Sequence, residues 1–488
     1  MQQPVWFGLP VGHSPGKVCA MRRDLNRLAN TEFDLLVIGG GILGAGIARD
    51  AALRGLRVAL VEQRDFASGT SSRSTKLIHG GFRYLEQGAV KLVAESCRER
   101  AILQRIAPHL VKPLSFLFVV YEGDRRPLWL MRAGLTLYDW LARGRAPGRH
   151  RAMTAAETRA EEPALQSTGL RGAVLFYDCQ EDDARFCIDN IHHAADLGAV
   201  CVNYCGVTGL VRRGDRVVAA SVEAGFEVRA KWFINATGVW AGRLASSVKL
   251  APTKGVHLVV PRVTRQHGVF WQARDGRLVF VIPWWGESLV GSTDTDYAGD
   301  PAAARAEPAD VNYLLSELRR RFPNASTEVI TSFAGVRPLL AGTEAPSARS
   351  REHQLVREGA NFLSVIGGKY TTYRAIAAEV VEATGLTRAQ CQTDTTPLPR
   401  YRPSPNGERF SSLPDVWESD VRYAWEEEMA LTLSDVMRRR TPLALTRHGD
   451  AETAARVAAI LGRYAGWSES EQRAQLKAYL GAREHGTL

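Results

Sequence analysis

Between Ser71 and Glu86 the chain reads SSRSTKLIHGGFRYLE. Small hydroxyls, a lysine, a histidine, paired glycines, an arginine and a tyrosine crowd one short span. It is too polar for a core strand and has no helical period before Phe82. Upstream, Gly39, Gly41 and Gly44 fit the pattern G-x-G-x-x-G. The first glycine permits a tight turn, the second lets backbone approach a pyrophosphate, and the third lets the next helix lie close to its strand. Ile42 and Leu43 open that helix, whose free N–H groups face phosphate oxygens. Glu62 follows at the distance where an acid accepts hydrogen bonds from an adenosine ribose. These residue types at this spacing bind a dinucleotide.

The elements needed to position them are legible. Leu35 to Ile38 is a short apolar run of buried-strand type, Ile42 to Arg54 has helical spacing, and Val58 to Val61 is a second strand that delivers Glu62. Alone, a GxGxxG pattern is weak and reads equally as a glycine-rich turn. Strand, helix, second strand and terminal acid in order make it specific. Thr70, Ser71, Ser72 and Ser74 follow closely enough to donate hydroxyls to a pyrophosphate and a ribityl chain, although a Ser/Thr run is more commonly a solvated loop. Residues 231–238 read as a strand ending in Ala236, Thr237 and Gly238, small enough for close approach. Residues 361–383 read as a strand, a turn with Gly368, and a helix starting near Thr371, whose N-terminus suits the flavin edge where reduction builds negative charge. A cofactor met near the start, in the middle and at the far end is long, which favours FAD over NAD.

Composition bounds the rest. The 488 residues allow two or three domains, and 45% hydrophobic content is that of a water-soluble globular fold. The net charge of +10 suits an anionic membrane surface, a nucleic acid or an anionic substrate, or only a solvated basic face. Seven scattered cysteines form no CxxC pair or zinc spacing, so a reducing compartment and no metal are expected. No apolar run approaches the roughly 20 residues of a spanning helix.

Several stretches together are similar to one family. They are DLLVIGGGILGAGIARDAALRG, TSSRSTKLIHGGFRYLE, KGVHLVVPR, VFVIPWWGESLVGSTDTDYAGDP, SFAGVRPLL and SVIGGKYTTYRAIA, in order from about residue 31 to 380. The chain resembles the FAD-dependent glycerol-3-phosphate dehydrogenases, within the amino-acid-oxidase-like flavoproteins. The resemblance implies a Rossmann-like α/β FAD-binding domain interleaved with a mixed-sheet substrate domain, plus a C-terminal α-helical cap. It implies non-covalent FAD, oxidation of sn-glycerol 3-phosphate to dihydroxyacetone phosphate, electron delivery to a membrane quinone, and a cytoplasmic enzyme held peripherally on the inner face of the cell membrane as a homodimer.

Site residues carry over at matching positions. A phosphate dianion needs cations, preferably arginine. The resemblance places Arg337, Lys369, Arg83 and Arg351 around the substrate, with Tyr84 beside Arg83; any one arginine could instead make a surface ion pair. It makes His257, in an apolar strand, the proton acceptor, although a lone histidine there is more commonly core. His79, beside Gly80 and Gly81, is the competitor and is expected to contact the flavin. Lys76 closes the run expected to wrap the FAD phosphates and ribityl chain. Thr293 and Asp294 read as sheet-end structure near the flavin.

The expected layout is an N-terminal extension over 1–30 (a disordered leader, or sequence preceding a true start at Met21), interleaved domains over 31–392, a Pro/Ser-rich linker over 393–414 and a helical cap over 415–488. Substrate strands are expected near 171–178, 254–260 and 278–292. Residues 125–151 place Trp129, Tyr138 and Trp140 among leucines between arginine clusters, which suits a helix in an anionic interface or a packed helix with solvated flanks. Rival functions are a glycerol-3-phosphate oxidase using oxygen and a catalytically inactive flavin-binding scaffold. No motif supports nucleic-acid binding.

Overall fold

The computed structural model describes residues 21–340 and 352–487, side chains of Arg83, Glu86 and Gln87 excepted. Glu32–Ile38 is the centre of the first sheet. It pairs in parallel with Val58–Val61 on one side and Glu227–Asn235 on the other, and Val200–Val202 and Phe362–Gly367 extend the sheet outward. Its apolar run is covered on both faces, as an internal parallel strand requires. Helix Ile42–Leu53 packs on this sheet beside helices Asp183–Asp196 and Tyr373–Thr384, so segments more than three hundred residues apart share one core.

The second sheet is mixed. Its order runs Thr295–Asp296, Thr253–Val260, Glu287–Gly291, Leu278–Trp284, Gly268–Gln272, Lys112–Tyr121, Leu170–Gln180 and Leu77–Ile78. Thr331–Arg337 also pairs antiparallel with Thr253–Val260. Leu77–Ile78 ties the opening stretch to this sheet, while Ser71 meets the start of helix Ile42–Leu53. The interleaved α/β architecture expected from the sequence is therefore the one observed. The expected strand over 278–292 is instead a hairpin, Leu278–Trp284 and Glu287–Gly291. Its turn residues Trp285 and Gly286 both have positive φ, +44° and +88°, as a tight two-residue hairpin turn demands.

Two segments differ from the expected layout. Within 1–30, Met21 is buried and Leu25–Asn30 is a helix capped by Asp24, with Leu28 in the core; residues 1–20 lie outside the described part. The stretch 393–414 is irregular through Gly407 but anchored. Leu398 donates its N–H to the Ile106 carbonyl at 2.8 Å, and Arg49 reaches the Thr396 carbonyl at 2.8 Å. Its end already forms a hairpin of Arg409–Ser412 with Asp415–Trp417.

The C-terminal unit has its own apolar core, including Val421, Leu433, Met437, Leu461 and Tyr479. It is built around helices Glu418–Glu428, Ala451–Ala465 and Glu469–Glu484. Among the described residues no helix is long and apolar enough to cross a membrane.

Candidate active site

The dinucleotide turn has the predicted geometry. Gly39 has φ +112°, and a Cβ there would stand 2.6 Å from the Ala236 carbonyl oxygen. A Cβ on Gly44 would collide with the Gly39 carbonyl, so any side chain would lift the helix off the turn. Gly41 stands immediately before the helix, and Ser71 Oγ accepts from the Ile42 N–H at 2.9 Å. The serine run thus reaches the helix N-terminus where a pyrophosphate would be received. Glu62 accepts from the Gly40 N–H at 2.7 Å and the Arg64 N–H at 3.0 Å, and burial raises its carboxyl above the usual range. Ala236 hydrogen-bonds the Ile38 carbonyl across the sheet, Thr237 donates to Asn235 Oδ1 at 2.6 Å, and Gly238 opens a short helix. Leu43 is half-buried on the opening turn. A glycine cradle at a helix N-terminus, backed by a half-buried acid, fits the adenosine diphosphate half of FAD.

The opening stretch lies directly over one face of the second sheet. Gly255 and His257 share that face by strand alternation, opposite Gly335 and Phe333. Arg337 leaves the end of its strand and lays its guanidinium across Gly255, where a Cβ would collide with it. It bonds Asp294 Oδ1 at 2.9 Å and Ser292 Oγ at 3.4 Å. His257 stacks on Phe333 with ring centroids 5.0 Å apart, and its Nε2 stands 3.3 Å from Thr75 Oγ1. Burial, then Arg337 and Lys76, push the imidazole well below 6.5. The uncharged form is favoured, and the ring lies two residues along the strand from Gly255, which the Arg337 guanidinium covers.

The far turn closes on the same stretch. Lys369 Nζ sits 3.8 Å from the Tyr84 ring centroid and 3.4 Å from Ser96 Oγ. A Cβ on Gly81, which has φ +76°, would come within 3.2 Å of that ammonium. Thr371 Oγ1 accepts from the His79 N–H and donates to the His79 carbonyl, both at 3.2 Å. Gly368, φ +81°, turns the chain into this contact. The Gly80 N–H is held by Asp178 Oδ1 at 3.1 Å and Tyr138 Oη at 3.0 Å, with Arg100 paired to Asp178. Arg83 follows on the short helix Phe82–Gln87, while Arg351 lies outside the described residues.

Three expected cofactor ligands, Thr70, Ser74 and Lys76, have protein partners. Lys76 is fully buried, paired with Asp183 Oδ1 at 2.5 Å and bonded to the Ser72 carbonyl at 2.7 Å. Burial lowers its pKa, and Asp183 opposes that. Ser74 Oγ donates to Asp183 Oδ2 at 2.7 Å, and Thr70 Oγ1 donates to the Val336 carbonyl at 2.5 Å. A buried cation must be paired, and the fold supplies Asp183. Lys76 and Ser74 therefore fix the shape of the stretch rather than extend from it. Tyr138 likewise turns inward, 1% exposed, unlike Trp129 at 70% and Trp140 at 68%.

Sequence reasoning missed Asp183, Asp178, Arg100 and Glu181. Asp183 sits in EDDAR, an acidic run at a helix start, but its lysine is 107 residues away. Glu181 is buried with neither carboxyl oxygen hydrogen-bonded, and burial, then Asp183, hold its pKa well above 4.5. Among the described residues no cluster could hold a metal ion.

The model of the FAD dependent oxidoreductase family matches residues 34–382. The chain belongs to that family. A second model, the C-terminal domain of alpha-glycerophosphate oxidase, matches residues 370–472. Glycerol-3-phosphate dehydrogenase 2 of Mycobacterium bovis is 42% identical over 73% of this chain, which spans 64% of that relative's length. Glycerol-3-phosphate dehydrogenase of Synechocystis is 34% identical over 94% of this chain and 97% of its own. The FAD-complexed glycerol-3-phosphate dehydrogenase of Bacillus halodurans superposes with a TM-score of 0.75 at 25% identity, covering 95% of this chain and 97% of that one. The cofactor of this flavoprotein fold is FAD.

Proposed function

We propose that the protein oxidises sn-glycerol 3-phosphate to dihydroxyacetone phosphate and passes the electrons to a membrane quinone. One observation carries this reading: the buried imidazole of His257 beside the Arg337 guanidinium on the sheet face crossed by the cofactor stretch. A secondary alcohol that gives up hydride must also lose its hydroxyl proton. His257 is the acceptor for that proton, its uncharged form favoured by burial and two cations. Arg337, already oriented by Asp294, offers N–H groups in the fork that suits phosphate. Lys369 adds a point charge from the opposite turn. When bound, FAD supplies the hydride acceptor at N5. The family resemblance adds Arg83, Tyr84 and Arg351 as proposed phosphate contacts, and the contact of His79 with Thr371 supports a place for it beside the flavin.

The helix Leu128–Ala142 supports membrane delivery. It buries Met131, Leu135 and Tyr138 and leaves Trp129, Leu130, Leu137 and Trp140 exposed, near Arg132 and Arg143. Such a face seats in an anionic interface. The name of the matching cap model favours a second reading, with oxygen as electron acceptor. Purified protein reduced by glycerol 3-phosphate tests both. Reoxidation by a quinone without stoichiometric peroxide supports the first; rapid peroxide release supports the second. A flavin that stays oxidised refutes both.

A further inference from the structure

The cap unit does more than cover the fold. After the short helix Leu433–Asp435 comes one wide turn, Val436–Arg440, in which three consecutive arginines point into the FAD-binding unit and are buried. Arg438 donates to the Ser72 carbonyl at 2.5 Å. Arg439 Nε reaches Asp65 Oδ2 at 2.6 Å, and Arg440 grips both Asp65 oxygens at 2.7 and 2.8 Å. Asp65 lies three residues after Glu62, and Ser72 follows Ser71, the residue bonded to the pyrophosphate-facing helix. The cap thus holds the cofactor stretch at two points, and Lys76 joins Arg438 on the Ser72 carbonyl.

We propose that Arg438, Arg439 and Arg440 are positioning residues for FAD, through which cap docking and cofactor binding are thermodynamically coupled. The proposal rests on FAD as cofactor, not on the identity of the substrate. Electrostatics support it. Burial alone would raise the Asp65 carboxyl, but Arg440 and Arg439 hold it at about 2. Arg438 has no such carboxylate bond. Burial lowers it to about 10, with Asp183 opposing and Arg439 adding to the fall, and burial with Arg438 and Arg439 lowers Arg73 to about 9. Arg73 Nε and Arg438 Nε are buried without a hydrogen-bond partner. Arg439, Arg440 and Lys76 are matched by Asp65 and Asp183, whereas Arg73 bonds the Ala334 and Thr487 carbonyls and Arg438 the Ser72 carbonyl, leaving two cations that a diphosphate would complement. Arg438 therefore costs the apoprotein stability while shaping the loop for an anion.

Coupling is reciprocal: if the cap sets the loop for FAD, FAD must stabilise the cap contact. The experiment uses deflavinated full-length protein titrated with FAD, for wild type, Arg438→Met, Arg438→Lys and Leu461→Ala, the last a cap-core change remote from the loop. Arg438→Met should bind FAD at least tenfold more weakly with an apoprotein Tm unchanged or raised. Arg438→Lys should fall between, and Leu461→Ala should lower Tm with FAD affinity within twofold of wild type. Unchanged FAD affinity in Arg438→Met overturns the proposal, as does a parallel loss of affinity and apoprotein Tm. Hydrogen exchange on the wild type needs no variant. FAD should slow exchange within 433–445, and protection confined to residues before 393 would contradict the coupling.

Discussion

The surroundings of His257, the proposed base, favour its uncharged form and also lower its affinity for the proton it would accept. Its ring lies between Phe333 and Phe280, with the Lys76 and Arg337 cations close enough to repel a third positive charge. Replacing it with asparagine keeps size and polarity but removes the acceptor. The rate of flavin reduction by glycerol 3-phosphate should drop roughly 10²–10⁴-fold in stopped-flow measurements; a rate near wild type would mean another base. Glu181 shows the opposite electrostatics. Its folded pKa lies above the unfolded 4.5, so the folded chain keeps a proton that the unfolded chain has released. Its stabilising share is full below about pH 4.5 and is lost as pH rises toward the folded value, at about 1.4 kcal/mol per pH unit. Glu181→Gln should therefore raise Tm at pH 8 and leave it unchanged at pH 4, as read by calorimetry at both pH values.

At the scale of elements, the turn between Glu32–Ile38 and Ile42–Leu53 tolerates no side chain at Gly44. Gly44→Ala should destabilise the fold by roughly 1–3 kcal/mol and release FAD on gel filtration. Flavin that stays bound with an unchanged Tm would contradict this account of the turn. This element was legible in the sequence because its requirements are local: one strand, a glycine spacing, one helix. The substrate sheet was legible in outline only. Its hairpin at Trp285–Gly286 lacks an Asn-Gly or Asp-Gly signal, so Gly286 alone does not mark a two-residue turn between the apolar runs on either side. Ion pairs across the fold had no local signal at all. Arg337 meets Asp294 43 residues away and Lys76 meets Asp183 107 away, so only folding shows that Lys76 is a strut. Nothing local to the three consecutive arginines of the cap names their target, because Asp65 comes from the other end of the chain.

Across the whole molecule, cofactor stretch, substrate sheet, far turn and cap converge on one region, while the helix Leu128–Ala142 packs on the cofactor stretch through Tyr138 and turns its two exposed tryptophans outward. Trp129→Ser with Trp140→Ser should reduce sedimentation with anionic liposomes several-fold while leaving flavin reduction intact, since neither side chain belongs to the site. Sedimentation equal to wild type would remove this helix from membrane docking. The central claim is that the Arg337–His257 face presents sn-glycerol 3-phosphate to FAD. Anaerobic addition of that substrate to purified holoprotein tests it most directly. Bleaching of the oxidised flavin band, with dihydroxyacetone phosphate formed in equal amount, is the result expected. A flavin band that persists at saturating substrate would contradict it.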